Sequence, residues 1–208
     1  MIELFTANTP NGWKVSIMLE EIGYAYKVTK VDISKDEQFK PEFKKISPFG
    51  KIPAIIDHDE EKSIFESGAI LMYLGDKSGE FYDQKEKLAI NQWLMAQMGT
   101  VGPMIGQHHQ FHHFNPGKSD FGEERYFKIT KRIYGELDAR LKESKFLAGP
   151  HYTIADIATW PWMARHEWHD IGLKNYQNLS RWYMDIAERE AVRKGYSFMD
   201  KDAKIPKP

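Results

Sequence analysis

The sequence predicts an α/β domain with a mixed sheet, followed by an all-helical domain. Two observations carry this reading. Over the first 78 residues, short apolar runs bounded by turn residues alternate with stretches of helical periodicity. Past Ser78-Gly79-Glu80 no convincing strand appears, and long helical patterns take over.

Residues 2–6 read as a short strand. Asn11-Gly12 ends a turn and a helix follows, in which Val15, Met18, Leu19 and Ile22 recur at helical spacing and Gly23 is the C-cap. Residues 26–31 form a second strand. The charged stretch 35–45 is predicted as one irregular helix. Residues 54–57 and 62–65 are two strands joined by a turn through His58-Asp59-Glu60-Glu61. A helix then runs from Ser67 to about Lys77, with Ile70, Leu71 and Leu74 inward. The order is βαβ-α-ββα. A βαβ unit implies a parallel pair with a right-handed crossover, and the later hairpin adds antiparallel strands. This is the order of a thioredoxin-like domain.

The second half is predicted to hold helices at about 86–112, 121–144, 154–168 and 176–188, the last with an apolar stripe of Leu179, Trp182, Tyr183 and Ile186. Gly99, Gly102, Pro103 and Gly106 are poor helix residues: the proline should kink the helix, and close helix approach would explain the glycines. Thr153 and Asp156 read as a capping box with Tyr152 and Ile157 at staple positions, a structural device whose loss costs about 0.5–2 kcal/mol. The domains are therefore 1–78, a linker 79–86, a helical domain 87–195 and a tail 196–208.

Composition narrows the function. Lys+Arg 29 against Asp+Glu 30 leaves no global field, so neither nucleic acid nor an anionic membrane is supported as a partner. No apolar stretch approaches a membrane span, and the N-terminus does not read as a signal peptide. With no cysteine there can be no disulfide framework, thiolate metal site or protein-borne redox centre, and a reducing cytoplasm fits.

Two stretches carry the chemistry. In Ser47-Pro48-Phe49-Gly50-Lys51-Ile52-Pro53, the last proline precedes the apolar run Ala54-Ile55-Ile56. Proline lacks an N–H and belongs at a strand's first residue. A cis Ile52-Pro53 bond would turn the chain and expose the Ile52 backbone, on which an extended thiol peptide could add as a strand. In Phe65-Glu66-Ser67-Gly68-Ala69-Ile70, a strand hands over to a helix start, which can hold a carboxylate while Glu66 meets an ammonium. Together they suit a small zwitterionic peptide. Either alone would be an ordinary strand entry or helix start.

With the Thr153-Ile-Ala-Asp156 cap, these residues make the chain resemble the cytosolic glutathione transferases over nearly its whole length. Asn8-Thr9-Pro10-Asn11-Gly12, Gly102-Pro103-Met104-Ile105-Gly106-Gln107 and Ile157-Ala158-Thr159-Trp160-Pro161-Trp162 make it similar to the nu class, whose bacterial members reduce disulfides with glutathione. The resemblance implies a homodimer that binds glutathione and a small disulfide or electrophilic substrate, without a metal. It implies that the Ile52 backbone pairs with the cysteinyl unit beside a cis Pro53, that Glu66 and Ser67 hold the γ-glutamyl end, and that Gln38 and Lys51 lie near the glycyl end. Arg132 matches a basic residue thought to reach glutathione across the dimer.

In thioredoxin-like folds the redox dithiol sits where this chain has Thr9-Pro10-Asn11-Gly12. No tyrosine precedes Tyr24, and Ser16 lies deep in the helix, which leaves Thr9 and Asn11 to stabilise a bound thiolate. Neither is a base at neutral pH, and each also suits an ordinary cap and turn. The expected function is a glutathione-dependent disulfide-bond reductase that uses glutathione thiols in place of protein cysteines. The alternatives are a conjugating or peroxide-reducing transferase, or a non-catalytic glutathione-binding module.

The run Gln107-His108-His109-Gln110-Phe111-His112-His113 contains two i, i+4 histidine pairs, a spacing that can share a metal. No HExxH motif or cysteine completes a site, so the imidazoles are read as lying against the helix C-terminus or lining a substrate pocket. His151, His166 and His169 are expected at the surface or the core edge.

Overall fold

The computed structural model describes all 208 residues, and the chain divides into two compact units. The first comprises residues 1–82 and 189–204, the second 83–188 and 205–208.

In the first unit, β1 (Ile2–Thr6), α1 (Pro10–Glu21) and β2 (Tyr26–Lys30) form the βαβ start, and β3 (Ala54–Asp57) and β4 (Lys62–Phe65) form the hairpin. The sheet order is β2-β1-β3-β4, with β1 parallel to β2 and antiparallel to β3. The mixed thioredoxin-like sheet is as the element order requires. α1 begins at Pro10, so Asn11-Gly12 lies inside its first turn rather than ahead of it. Proline suits that place because its missing N–H would have no intrahelical partner there. Gly23 follows the helix end at φ 66°. The stretch expected as one irregular helix is instead two 3₁₀ turns, Ile33–Lys35 and Glu37–Phe39, and the short α2 (Pro41–Lys44). Asp36, in the left-handed region at φ 56°, separates the two turns. α3 (Ser67–Ser78) ends on Gly79, also left-handed.

The second unit holds α4 (Lys87–Ala96), α5 (Gly102–His108), α6 (Asp120–Glu143), α7 (Ile154–Met163) and α8 (Gln177–Ala187). The irregularity expected at Pro103 is a π-helical turn, Gln97–Val101, just ahead of it. A wider turn absorbs the bond that the proline cannot make. Cβ atoms on Gly102 and Gly106 would lie 3.2 and 3.3 Å from the Trp162 ring, so these glycines let α5 approach α7. α7 stops at Met163, short of the expected end, and a 3₁₀ turn, His166–Trp168, follows.

The Thr153–Asp156 capping box is present. Asp156 is fully buried and accepts from Thr153 N (3.0 Å), Leu147 N (2.9 Å) and Trp182 Nε1 (2.8 Å).

The sequence predicts that residues 87–195 belong to the helical domain and 196–208 form a tail. The structure instead forms α9 (Glu190–Ser197) and groups it with the first unit. Gly195 is why α9 can lie against α1: a Cβ there would sit 2.5 Å from Ile17 Cα. Ser16, fully buried, donates to the Gly195 carbonyl at 2.6 Å, and Tyr196 packs on Trp13 with ring centroids 4.4 Å apart.

Candidate functional site

Strand register decides where the motif residues emerge. Phe5 of β1 pairs with Ala54 of β3, and Ala54 pairs with Phe65 of β4. These three form one row across the sheet. The segments just beyond that row, residues 7–11, 51–53 and 66–67, therefore leave the sheet at the same edge. The two separate sequence motifs and the start of α1 are brought together by this register.

The approach to β3 is held by Ser47. Its Oγ donates to the Lys51 carbonyl at 2.7 Å and accepts from Lys51 N at 3.2 Å, and Gly50 N donates to the Ser47 carbonyl at 2.8 Å. Gly50 needs its glycine: φ is 60°, and a Cβ would lie 2.8 Å from the Gln38 carbonyl. That contact sets the Gln38 turn against the Lys51 loop. The Gln38 Oε1 is buried without a hydrogen-bond partner, while Lys51 is exposed. The Ile52-Pro53 bond is cis. Pro53 is buried and Ile52 half-exposed, with neither the Ile52 N–H nor its carbonyl taken by another backbone group.

At the start of α1, Thr9 is the N-cap and its Oγ1 accepts from Gly12 N at 3.2 Å. A hydroxyl that accepts in this way keeps its proton to donate. Pro10 has no N–H, so Asn11 is the first residue of the helix to carry one. Gly12 is required by space, since a Cβ would sit 2.4 Å from the Ala7 carbonyl. Thr9 and Asn11 are both half-buried.

At the start of α3, Glu66 is the N-cap at φ 68° and ψ 116°, a region that costs a non-glycine residue about 1–3 kcal/mol. Its side chain caps nothing and is exposed. Ser67 is buried, and its Oγ lies 3.3 Å from the Nζ of Lys14. Lys14 is not among the site residues that the sequence singles out. It sits on α1 at i−4 from Met18, where a lysine breaks a face that is buried from Gly12 to Leu19; that break was the available signal. Lys14 is 1% exposed, and burial pushes its ammonium down to about 7, against the opposing pull of the Glu66 carboxylate.

The other end of β3 carries a different cluster. Asp57 is buried, accepts from Tyr73 OH at 2.7 Å and pairs with Lys77. Burial pushes its carboxyl up, but the Lys77 and Tyr73 hydrogen bonds outweigh this and hold it at about 2. The register sets Asp57 against Ile2 and Lys62, at the opposite edge from the motif residues, so it ties β3 to α3.

Arg132 is an exposed residue of α6, in the second unit. The histidine run also lies in that unit. Its end forms a π-helical turn, His109–Phe114. His169, expected at the surface or core edge, is fully buried. Its Nδ1 lies 2.6 Å from Tyr134 OH and its Nε2 lies 2.8 Å from His109 Nε2, while His108 Nε2 donates to its carbonyl at 3.0 Å. Burial pushes all three imidazoles down, that of His109 to about 3, so they are neutral at physiological pH. No group of three or more His, Cys, Asp or Glu side chains is arranged to hold a metal ion. No helix is long and apolar enough to cross a membrane.

Comparison with known proteins agrees with this architecture. The family description "Glutathione S-transferase, N-terminal domain" matches residues 2–76, and "Glutathione S-transferase, C-terminal domain" matches 102–190. The chain is 46% identical to the disulfide-bond oxidoreductase YfcG of Escherichia coli (strain K12), over 92% of this chain and 93% of the relative. It is 36% identical to the disulfide-bond oxidoreductase YghU of the same organism, over 93% of this chain and 73% of the relative. Among solved structures, a Pseudomonas putida glutathione transferase with one glutathione disulfide bound per subunit superposes with a TM-score of 0.89 at 40% identity, covering 95% of this chain and 91% of the other. A Burkholderia graminis glutathione transferase with two glutathione molecules bound per subunit gives 0.90 at 38% identity, covering 97% and 89%. Fold, motif geometry and sequence similarity over almost the full length agree that this chain belongs to the glutathione S-transferase family.

Proposed function

We propose that this chain is a glutathione-dependent disulfide-bond reductase of the nu class, working as a homodimer in the cytoplasm. One observation carries the reading. The cis Ile52-Pro53 entry and the Glu66-Ser67 helix start lie at the same end of the sheet, in a chain that has no cysteine. The reactive sulfur must then come from the ligand. The disulfide-bond oxidoreductase names of the two Escherichia coli relatives support this, as do neighbours that hold two glutathiones or one glutathione disulfide per subunit.

Each residue has a role in this reading. The free Ile52 N–H and carbonyl pair with the cysteinyl unit as a short added strand. Glu66 meets the γ-glutamyl ammonium, and Ser67 with the first turn of α3 receives the neighbouring carboxylate. Lys51 and Gln38 flank the glycyl end, and Arg132 reaches the ligand across the dimer. The Thr9 hydroxyl and the Asn11 N–H or amide, at the positive end of α1, stabilise the sulfur as thiolate; a free thiol with pKa near 8.5 is mostly protonated at neutral pH.

Chemistry follows by two exchanges. The bound glutathione thiolate attacks one sulfur of the substrate disulfide; an S–S bond forms, the substrate S–S bond breaks, and one substrate thiolate leaves and is protonated. A second glutathione, as thiolate, attacks the glutathione sulfur of this mixed disulfide and expels the other substrate thiolate. Two glutathiones are oxidised to one glutathione disulfide, and one substrate disulfide is reduced to two thiols. A cytoplasm rich in glutathione supplies the reductant.

The test is turnover of hydroxyethyl disulfide with glutathione by the wild type and by the double variant Thr9→Ala, Asn11→Ala. We expect kcat/KM to fall by about a hundredfold, in the range of a lost anion-stabilising donor. An unchanged rate would remove Thr9 and Asn11 from the site. Parallel assays with a peroxide and a chlorinated aromatic separate reductase from peroxidase and conjugating activity.

A further inference from the structure

A lysine buried this completely is rare, because stripping an ammonium of water costs several kcal/mol that its surroundings must offset. Lys14 is 1% exposed and sits on α1 one turn past Asn11. Its Nζ lies 3.3 Å from Ser67 Oγ, at the first residue of α3. A helix start already carries partial positive charge. The fold therefore places a buried amine, whose protonated form an arriving anion would stabilise, behind the partial positive charge of the helix start, and Glu66 beside it is exposed. That arrangement favours an anion arriving at Ser67.

The hydrogen-bond inventory adds direction. With Lys14 protonated, as a bound carboxylate favours, the ammonium has only protons to give, so Ser67 Oγ accepts from Lys14 and its own proton is turned away from the lysine. The lysine thereby sets the serine as a donor. We propose that Lys14 is a positioning residue of the glutathione site: from beneath the start of α3 it orients the Ser67 hydroxyl and supplies the positive charge that recognises the γ-glutamyl carboxylate. This deepens the glutathione reading above and rests on it. Lys14 touches Ser67, not the reacting sulfur, so it acts on binding of one end of the ligand and not on the exchange step.

The experiment measures Kd by titration calorimetry for two unreactive probes, S-methylglutathione and its analogue lacking the γ-glutamyl α-carboxylate. The proteins are the full-length wild type, Lys14→Met and Lys14→Gln. Both variants remove the buried charge and keep much of the side chain's bulk, so melting temperature should hold or rise. We expect each variant to bind S-methylglutathione about tenfold or more weakly, the range of a lost charge-assisted interaction. The analogue should bind all three proteins equally. In turnover, KM for glutathione should rise while kcat changes little.

Wild-type affinity for S-methylglutathione in either variant would overturn the proposal and leave the glutathione reading standing. So would an equal loss for both probes, which would separate the lysine from the carboxylate. A fall in melting temperature in both variants would make Lys14 a structural ammonium and overturn it as well. No binding of S-methylglutathione by the wild type would overturn the glutathione reading, and this proposal with it.

Discussion

Lys14 in the first unit and His169 in the second are both buried titratable residues, and the chain treats them in opposite ways. Lys14 is buried beside a strained, exposed Glu66 at a helix start, and burial disfavours its charge against the pull of that carboxylate. His169 is buried as a neutral ring between Tyr134 and His109, its two nitrogens each within hydrogen-bonding distance of a side chain that can complete the pair. In the first unit, Lys14 thus keeps a buried amine next to a strained N-cap at the start of α3. In the second, both His169 nitrogens meet neutral side chains and the buried Asp156 accepts from backbone and indole donors, while His108 Nδ1 is buried without a partner. The buried lysine keeps a charge that its surroundings only partly offset, whereas His169 and Asp156 meet partners that complete their hydrogen bonds.

The largest effect should come from breaking that internal resolution. Asp156→Ala leaves the Leu147 and Thr153 N–H groups and the Trp182 indole N–H buried without their acceptor. We expect the second unit to lose about 3–5 kcal/mol, measured by urea unfolding, with amide exchange in α6 and α7 accelerated well before that in α1 and α3. Equal acceleration in both units would mean that the two are not separable in stability.

A titration of stability sharpens the contrast. His108, His109 and His169 have folded-state pKa values below the unfolded value near 6.5, through burial first. Below pH about 6.5 the unfolded chain therefore binds protons that the folded second unit refuses, and the unit loses stability as pH falls toward about 3. Asp156, raised by burial to about 6, acts the other way between pH about 4 and 6, one carboxyl against four imidazoles once His166, also lowered by burial, is counted. In the first unit, Asp57 is held at about 2, so its contribution persists until pH falls below about 4. Lys14 has the depressed pKa of a buried base, so the first unit should gain stability as pH rises from about 7 toward 10.5. Amide exchange followed from pH 4 to 9 should find the second unit weakening first in acid, and the first unit strengthening in base. Loss of that alkaline gain in Lys14→Met would confirm its source.

The smallest effect concerns how the first unit is closed. Gly195→Ala sets a methyl 2.5 Å from the Ile17 backbone and pushes α9 off α1. A loss of about 1–3 kcal/mol is expected in the first unit, with amide exchange in the second unchanged.

Much of this was legible in the sequence because the signals were local. The βαβ-α-ββα order, the proline ahead of β3 and the Thr153–Asp156 box are set by periodicity and by residue chemistry within a few positions. What stayed hidden depended on contacts between distant residues. α9 is eight residues long and is defined by Gly195 meeting Ile17, which no local pattern announces. Lys14 meets Ser67 across 53 positions, and its burial reverses what an amphipathic reading assigns to a lysine. His169 reads as a surface or core-edge histidine until Tyr134 and His109 are folded against it. The π-helical turn before Pro103 stands where a kink is expected, because the wider turn takes up the hydrogen bond the proline cannot make.

The central claim is that a chain without cysteine performs disulfide exchange through the sulfur of its ligand. The direct measurement is steady-state reduction of hydroxyethyl disulfide by the purified chain over a range of glutathione concentrations. The account predicts a rate well above the uncatalysed exchange that saturates in glutathione, with two glutathiones consumed per disulfide reduced. A rate that never rises above the uncatalysed exchange at any glutathione concentration would contradict it.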